Sequence, residues 1–186
     1  SSGRAENIKH LLSNKSFVFK KHDITKTSIN IKPDYIFHLA SRPSPDDYLN
    51  NEIQTIDVNI KGTRKILELA RKTDAKLLFT STSEVYGEAT VFPTPETYYG
   101  NVNPSGPRAC YDESKRVGET LCYIFQHKFN VHTNIVRPFN FYGPGMQEED
   151  YRALPNFASK IKSKLPLKIY GDGMQTRTFC YITDGI

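Results

Sequence analysis

Cysteine is scarce in this chain: Cys110, Cys122 and Cys180 are its three thiols, an odd number without metal-ligand spacing. That argues against a disulfide framework and against zinc, so the three read as reduced thiols in core or helix positions. No apolar run approaches the length that spans a bilayer, and no charged-then-apolar leader opens the sequence, so no membrane segment is expected. A concentrated basic stripe is also missing. The net charge is +5, but Lys and Arg are scattered and not interleaved with aromatics, which speaks against nucleic acid as a partner. A mild positive field suits an anionic substrate. Internal repeats and low-complexity tracts are absent. What is present, 186 residues with 38% apolar content, is enough for one domain with a hydrophobic core.

Short β-type runs alternate with longer helical ones, the pattern of an α/β fold with a mostly parallel sheet. Strands are expected at Ser16 to Lys20, Tyr35 to Leu39, Leu77 to Ser81, Asn134 to Phe139 and Leu167 to Tyr170. The continuous apolar character of Tyr35-Ile36-Phe37-His38-Leu39 suggests a strand buried on both faces. Ile56, Ile60, Ile66, Leu67, Leu69 and Ala70 recur at helical spacing over about Thr55 to Lys72, and Val117, Leu121, Ile124 and Phe125 mark a second helix. Gly87 to Gly106, rich in Pro, Thr, Gly and Asn, reads as an irregular loop of a length that is usually functional or disordered.

The second helix carries Tyr111 and Lys115, one turn apart and on one face. Free tyrosine ionises near pH ~10, so it serves as a base at neutral pH only with a cation nearby to stabilise its phenolate. Lys115 is spaced to supply that charge, and Thr82 at a strand end could supply a hydroxyl to the same pocket. Tyr-x-x-x-Lys alone is a weak signal that surface helices often produce, and the neighbouring segments give it weight.

Those segments are Phe37-His38-Leu39-Ala40-Ser41 after a strand, Asn59-Ile60-Lys61-Gly62-Thr63 on a helix, Ser81 to Gly87, the Tyr111/Lys115 pair, and Arg137-Pro138-Phe139-Asn140-Phe141-Tyr142-Gly143-Pro144. In this order the chain resembles the extended short-chain dehydrogenase/reductase superfamily, the NAD-dependent epimerases, dehydratases and decarboxylases of nucleotide sugars, from about residue 4 to residue 184. The resemblance implies a Rossmann-like doubly wound parallel sheet and a bound NAD. It places Asp23 and Ile24 at the adenine, Leu39, Ala40, Ser41 and Thr80 along the cofactor, and Pro138 and Asn140 at the nicotinamide side, with Tyr111 and Lys115 also touching it. Ser83, Glu84, Tyr111, Asn140 and Arg177 are implied for the sugar nucleotide, and Tyr111, Lys115, Thr82 and Glu84 for catalysis. Plainer alternatives stay open: Asp23 as a loop cap, Glu84 as a surface carboxylate, Arg177 in a surface ion pair.

Within the superfamily, Asn101-Val102-Asn103-Pro104-Ser105-Gly106-Pro107-Arg108-Ala109-Cys110-Tyr111-Asp112-Glu113 is similar to the loop of the UDP-glucuronate decarboxylases. Related 4,6-dehydratases carry Thr-Asp-Glu where this chain has Thr82-Ser83-Glu84, and Ser83 is a poor acid for expelling a hydroxyl. The implied activity is NAD-dependent conversion of UDP-glucuronate to UDP-xylose through a 4-ketone. The alternatives are a nucleotide-sugar 4-epimerase or 4,6-dehydratase and, from another class, a non-catalytic binding module.

The opening strand, Gly-rich turn and helix of the superfamily are not found here, and neither is its second strand. The expectation is therefore a partial NAD-binding domain over residues 1–186, with a substrate-binding lobe beginning at about 144, cut from an enzyme of about 300 residues. In the 3-2-1-4-5-6 strand order, Ser16 to Lys20 loses its neighbour and Tyr35 to Leu39 gains an open edge, so the isolated piece is expected to be poorly stable and inactive. The resemblance also implies a homodimer through the Tyr/Lys helix and the helix before it. The expected location is the cytoplasm, with a membrane-anchored Golgi form of the parent as the alternative.

Overall fold

Two parallel ladders organise the chain. The computed structural model describes residues 3–26, 29–148, 150, 152–169 and 171–186. The larger ladder joins β1 (Tyr35–His38), β2 (Lys76–Thr80) and β3 (Thr133–Val136), all parallel and in that order. Parallel neighbours need a crossover, and helices supply both. Between β1 and β2 run α1 (Pro45–Leu49), α2 (Glu52–Asp57), a π turn (Val58–Gly62) and α3 (Thr63–Thr73). Between β2 and β3 come a 3-10 turn (Ser83–Tyr86), a long loop and α4 (Ala109–Phe129). The smaller ladder pairs β4 (Asn140–Tyr142) with β5 (Phe179–Tyr181), and α5 (Ala153–Lys162) lies between them in sequence. This is the α/β, Rossmann-like arrangement that the alternation predicts.

α3 and α4 end by the same device. Asp74 and Asn130 each adopt a left-handed conformation with φ 56° just past the helix, and the next amide reaches back to the last turn (Ala75 N to Ala70 O 3.1 Å, Val131 N to Phe125 O 3.2 Å). The motif turns the chain sharply into the following strand. Ile66, Leu67, Ala70, Ala75, Leu77, Phe79, Cys122, Phe125 and Val131 are thereby buried together between the helices and one face of the sheet. Fully burying a side chain of the Leu or Phe class contributes about 1.5–3 kcal/mol, so this layer dominates stability.

Four expectations need correction. β1 is not buried on both faces: Tyr35, Phe37 and Leu39 are 62%, 68% and 65% exposed, because the packed helices lie on the side of Leu77 and Phe79. Ser16 to Lys20 forms no strand despite its Phe-Val-Phe core, since no described residue pairs with it. Leu167 to Ile169 is likewise irregular, and Tyr170 lies outside the described residues. The expected strand Asn134 to Phe139 stops at Val136 and resumes as β4. Pro138 has no N–H to continue a ladder. The expected open edge is present: β1 is the edge strand, and no described strand pairs with its free side. The helix expected over Thr55 to Lys72 extends from Glu52 to Thr73 with the π turn inside it. Among the described residues, no helix is long and apolar enough to cross a membrane.

Gly118 sets the depth at which α4 rests on β2. A Cβ there would lie 2.5 Å from Phe79 Cζ, so either the ring or the helix would have to move. Overpacking of this kind costs about 1–3 kcal/mol, against a helix-propensity gain of about 1 kcal/mol for Gly to Ala. The expected outcome for Gly118→Ala is a net loss of about 1 kcal/mol, read as a lower urea midpoint of the intact protein. An unchanged or raised midpoint would show that the helix does not depend on this approach.

A candidate active site at the carboxyl ends of the strands

Parallel strands end on one edge, so the segments after β1, β2 and β3 meet there: Leu39-Ala40-Ser41, Ser81-Thr82 and Arg137 to Asn140. The β2–β3 pairing continues past the strands, with Ser81 N on Val136 O (2.8 Å) and Ser83 N on Pro138 O (3.1 Å). Thr82 is therefore held on both sides by main-chain bonds. Its hydroxyl oxygen accepts from Glu84 N at 3.3 Å, capping the turn that presents Ser83 and Glu84.

α4 brings Tyr111 and Lys115 against this edge, 6% and 3% exposed. The Lys115 ammonium donates to Thr80 O at 2.7 Å and sits 5.1 Å from the Phe79 ring centroid. Burial pulls Lys115 down to about 8. Burial also pushes the Tyr111 phenol up to about 12, with hydrogen bonding by the Thr82 side chain acting the other way. Both shifts have one physical cause, since low polarity disfavours whichever form is charged. The Tyr48 ring stacks on Tyr111 with centroids 5.0 Å apart and planes at 9°.

Charge surrounds the phenol. Glu84 accepts a short hydrogen bond from Arg108, whose guanidinium is also 3.8 Å from Asp112 Oδ1. Burial pushes Asp112 up to about 6, Arg108 opposing and Glu84 reinforcing. Arg152, paired with Asp150, lies within electrostatic range of Tyr111. His38, at the end of β1, bonds the Thr63 hydroxyl at 2.9 Å and is brought down to about 4 by burial and by Lys115, which leaves it neutral.

The segment after β1 is tied to α4 through the π turn. Ser41 Oγ donates to Asn59 Oδ1 (2.8 Å), Asn59 Nδ2 donates to Ser114 Oγ (2.9 Å), and Ser114 sits on the Tyr111 carbonyl (3.0 Å). The widened turn carries buried Asn59 between the two elements. Thus Thr82, Glu84, Tyr111, Lys115, Thr80 and Pro138 converge, and Ser41 reaches them through Asn59. Ser83 joins by its main chain.

The other expected residues have partners of their own or face solvent. The exposed Asp23 carboxylate accepts from Thr25 N (2.9 Å) and Thr25 Oγ1 (2.7 Å), the geometry of a turn cap, and Ile24 fills the space over Gly62. Ala40 and Leu39 are exposed at the strand end. Asn140, first residue of β4, donates to Thr178 O at 2.9 Å. That contact brings the Gln175-Thr176-Arg177-Thr178 segment beside β4, although the Arg177 guanidinium donates only to its neighbour Thr176 O (2.7 Å) among the contacts described. A cleft of about 570 Å³ opens alongside, lined by Tyr142, Met146, Leu154, Pro155 and Tyr181 among others.

Sequence reasoning passed over Tyr48, Arg108, Asp112, Asn59 and Arg152 as site residues. Arg108 and Asp112 stood inside the singled-out loop, and Asn59 in a quoted motif. For Tyr48 and Arg152 no local signal existed, because only tertiary packing brings them in.

The NAD dependent epimerase/dehydratase family matches residues 3–186. UDP-glucuronic acid decarboxylase 1 of Arabidopsis thaliana is 46% identical over 98% of this chain and 42% of its own length. The Xenopus tropicalis protein of the same name is 44% identical over 98% and 43%. This chain thus spans less than half the length of these two relatives. Among solved structures, UDP-glucose 4-epimerase of Thermotoga maritima with UDP-glucose superposes with a TM-score of 0.85 at 26% identity, covering 100% of this chain and 60% of that one. UDP-glucuronic acid 4-epimerase of Bacillus cereus in complex with NAD gives 0.77 at 32% identity, covering 97% and 56%. With the family pattern running through nearly every residue and the Tyr111–Lys115–Thr82 cluster at the strand ends, the chain belongs to the NAD dependent epimerase/dehydratase family.

Proposed function

We propose that these residues form the catalytic part of an NAD-dependent UDP-glucuronate decarboxylase that makes UDP-xylose. The observation that carries the reading is the meeting of Tyr111, Thr82 and buried Lys115 with a Glu84–Arg108 pair at one sheet edge. The decarboxylase relatives support the choice of reaction. Ser83, which has no carboxyl to drive out a hydroxyl, supports it against dehydration. The segment from about residue 144, with α5 and the adjoining cleft, would begin the sugar-nucleotide lobe. A homodimer through α3 and α4 accompanies this reading.

The strand-end geometry suits a dinucleotide. Leu39 and Phe139 offer exposed apolar surface on either side of the β2 end, the polar Thr82 lies between, and the crevice beyond the carboxyl ends of a parallel sheet is the usual place for such a ligand. Bound NAD+ supplies the hydride acceptor for C4 of the sugar and gives the hydride back at the end.

Tyr111, as phenolate, takes the proton of the 4-hydroxyl, with Thr82 hydrogen-bonding the same oxygen and the Lys115 charge favouring the ionised phenol. The product is a 4-ketone with the C6 carboxylate in the β position. Loss of carbon dioxide then leaves the C–C bonding pair as an enolate. Tyr111, now a phenol, and Thr82 donate to the enolate oxygen, which requires no further acid. Glu84, a carboxylate in its pair with Arg108, stands beside this centre to orient a water that hands C5 its proton, and solvent replaces the proton consumed as carbon dioxide leaves. Arg108 steadies Glu84 in its ion pair. Tyr111 finally returns its proton to O4, so no net redox change results.

The test is turnover of UDP-glucuronate and UDP-glucose by the full-length protein with NAD+. Carbon dioxide and UDP-xylose from the glucuronate support the proposal. Epimer formation without carbon dioxide would transfer the protein to the epimerases. Tyr111→Phe is expected to lower kcat/KM by about 10²–10⁴-fold, measured as UDP-xylose formation. Glu84→Gln should still form NADH in a single turnover while slowing UDP-xylose release by about 10²-fold, and equal loss of both steps would remove Glu84 from C5. Lys115 acts as the cation, and burial lowers it to about 8, so kcat/KM should fall as pH rises through about 8. A profile flat to pH ~10, where a solvated lysine titrates, would show that its charge is not required.

A further inference from the structure

We infer that Glu119, acting with Arg137, is a positioning residue that clamps the Thr82 turn against the Lys115 face of α4. Glu119 lies one turn beyond Lys115, and its part-buried carboxylate is engaged on both oxygens. Oε1 accepts from Ser81 Oγ (2.5 Å) and Arg137 Nε (2.9 Å), and Oε2 accepts from Arg137 Nη2 (2.7 Å). Arg137 extends the reach. Its Nη1 donates to the Tyr86 phenol oxygen at 2.9 Å and to Glu96 O at 3.0 Å.

Five elements meet on these two side chains: α4, the end of β2, the 3-10 turn, the end of β3 and the loop after Gly87. A planar guanidinium with a bidentate carboxylate fixes direction as well as distance. Thr82 lies inside the clamp. Ser81, immediately before it, is bonded to Glu119, and Tyr86, at the end of its turn, is bonded to Arg137. Neither side chain was assigned a role by the sequence, and neither is needed to bond a reacting atom in the proposed mechanism.

The clamp also has an electrostatic side. The groups that act on Lys115 are His38 from β1, the Thr80 carbonyl at the end of β2, and Glu119 and Cys122 on its own helix, with Arg137, just past β3, paired to Glu119. His38, at about 4, is neutral, and burial favours the neutral phenol of Tyr111, at about 12, over the phenolate that the reaction needs. Against the burial of Lys115 act Cys122 and Glu119, and burial pushes the Cys122 thiol up to about 12, so the negative charge among them belongs to Glu119. Removing it should make the ammonium easier to deprotonate.

The pH part of this inference rests on the proposed decarboxylase reading, so the test has two readouts on the full-length protein. The first is amide hydrogen exchange across Ser81 to Tyr86, which needs no turnover. Arg137→Lys keeps the charge but loses the fork and should raise exchange there by about 10-fold, consistent with losing about 1.4 kcal/mol of local stability. The second is the pH profile of kcat/KM. Glu119→Gln keeps an acceptor for Ser81 but removes the charge, and should move the high-pH limb down by about one unit. Arg137→Lys should lower kcat and leave that limb in place. Wild-type exchange in Arg137→Lys overturns the inference, and so does a limb unmoved by Glu119→Gln. If the wild-type protein does not decarboxylate UDP-glucuronate, the functional reading fails while exchange still decides the clamp.

Discussion

The site is built on a buried ammonium. Lys115 is almost wholly removed from solvent, and its described hydrogen bond is to the carbonyl of Thr80, the last residue of β2. Burying a cation costs several kcal/mol, so the surrounding structure must hold the acceptor in place and exclude water without leaving the charge unmatched. The Phe79 ring beneath and the Glu119 carboxylate one turn away offset part of that cost. Gly118 allows the approach, because any larger residue would meet Phe79 first. Core packing and the burial of this charge are thus one problem in this fold, solved by the same turns of α4.

The rest of the edge follows from strand geometry. A parallel sheet gathers the ends of its strands without further instruction, and here the ladder continues into the turn so that Thr82 is framed by Ser81 and Ser83. The π turn at Val58–Gly62 performs the corresponding task on the other side. By adding a residue to one helical turn, it places Asn59 where its amide joins Ser41 to Ser114. Regular pairing positions the hydroxyl, and a local irregularity positions the link to the segment after β1.

The Tyr111/Lys115 pair was legible because its spacing is a local property: residues four apart on one helix share a face whatever surrounds them. Strands β2 and β3 were legible because apolar runs bounded by turns have few other uses. Ser16 to Lys20 shows where local reading ends, since Phe17-Val18-Phe19 has strand character but a strand exists only with a neighbour. Tyr35, Phe37 and Leu39 show the same limit for burial, because an apolar sequence cannot say which face is covered. Arg152 and Tyr48 approach Tyr111 from separate elements, and nothing in the order of residues announces that they meet there.

The two shifts on α4 bear on when the base can exist. Burial raises Tyr111 to about 12 and lowers Lys115 to about 8, so the surroundings favour the neutral phenol and weaken the charge meant to stabilise its ionised form. A phenolate–ammonium pair therefore depends on every other charge within reach. Glu84 and Asp112 raise the phenol further, whereas the Thr82 hydroxyl lowers it. Arg108, bound to Glu84 and close to Asp112, draws off much of that negative field. The pairing of the charges that ring Tyr111 thus sets the field against which its phenol would have to ionise.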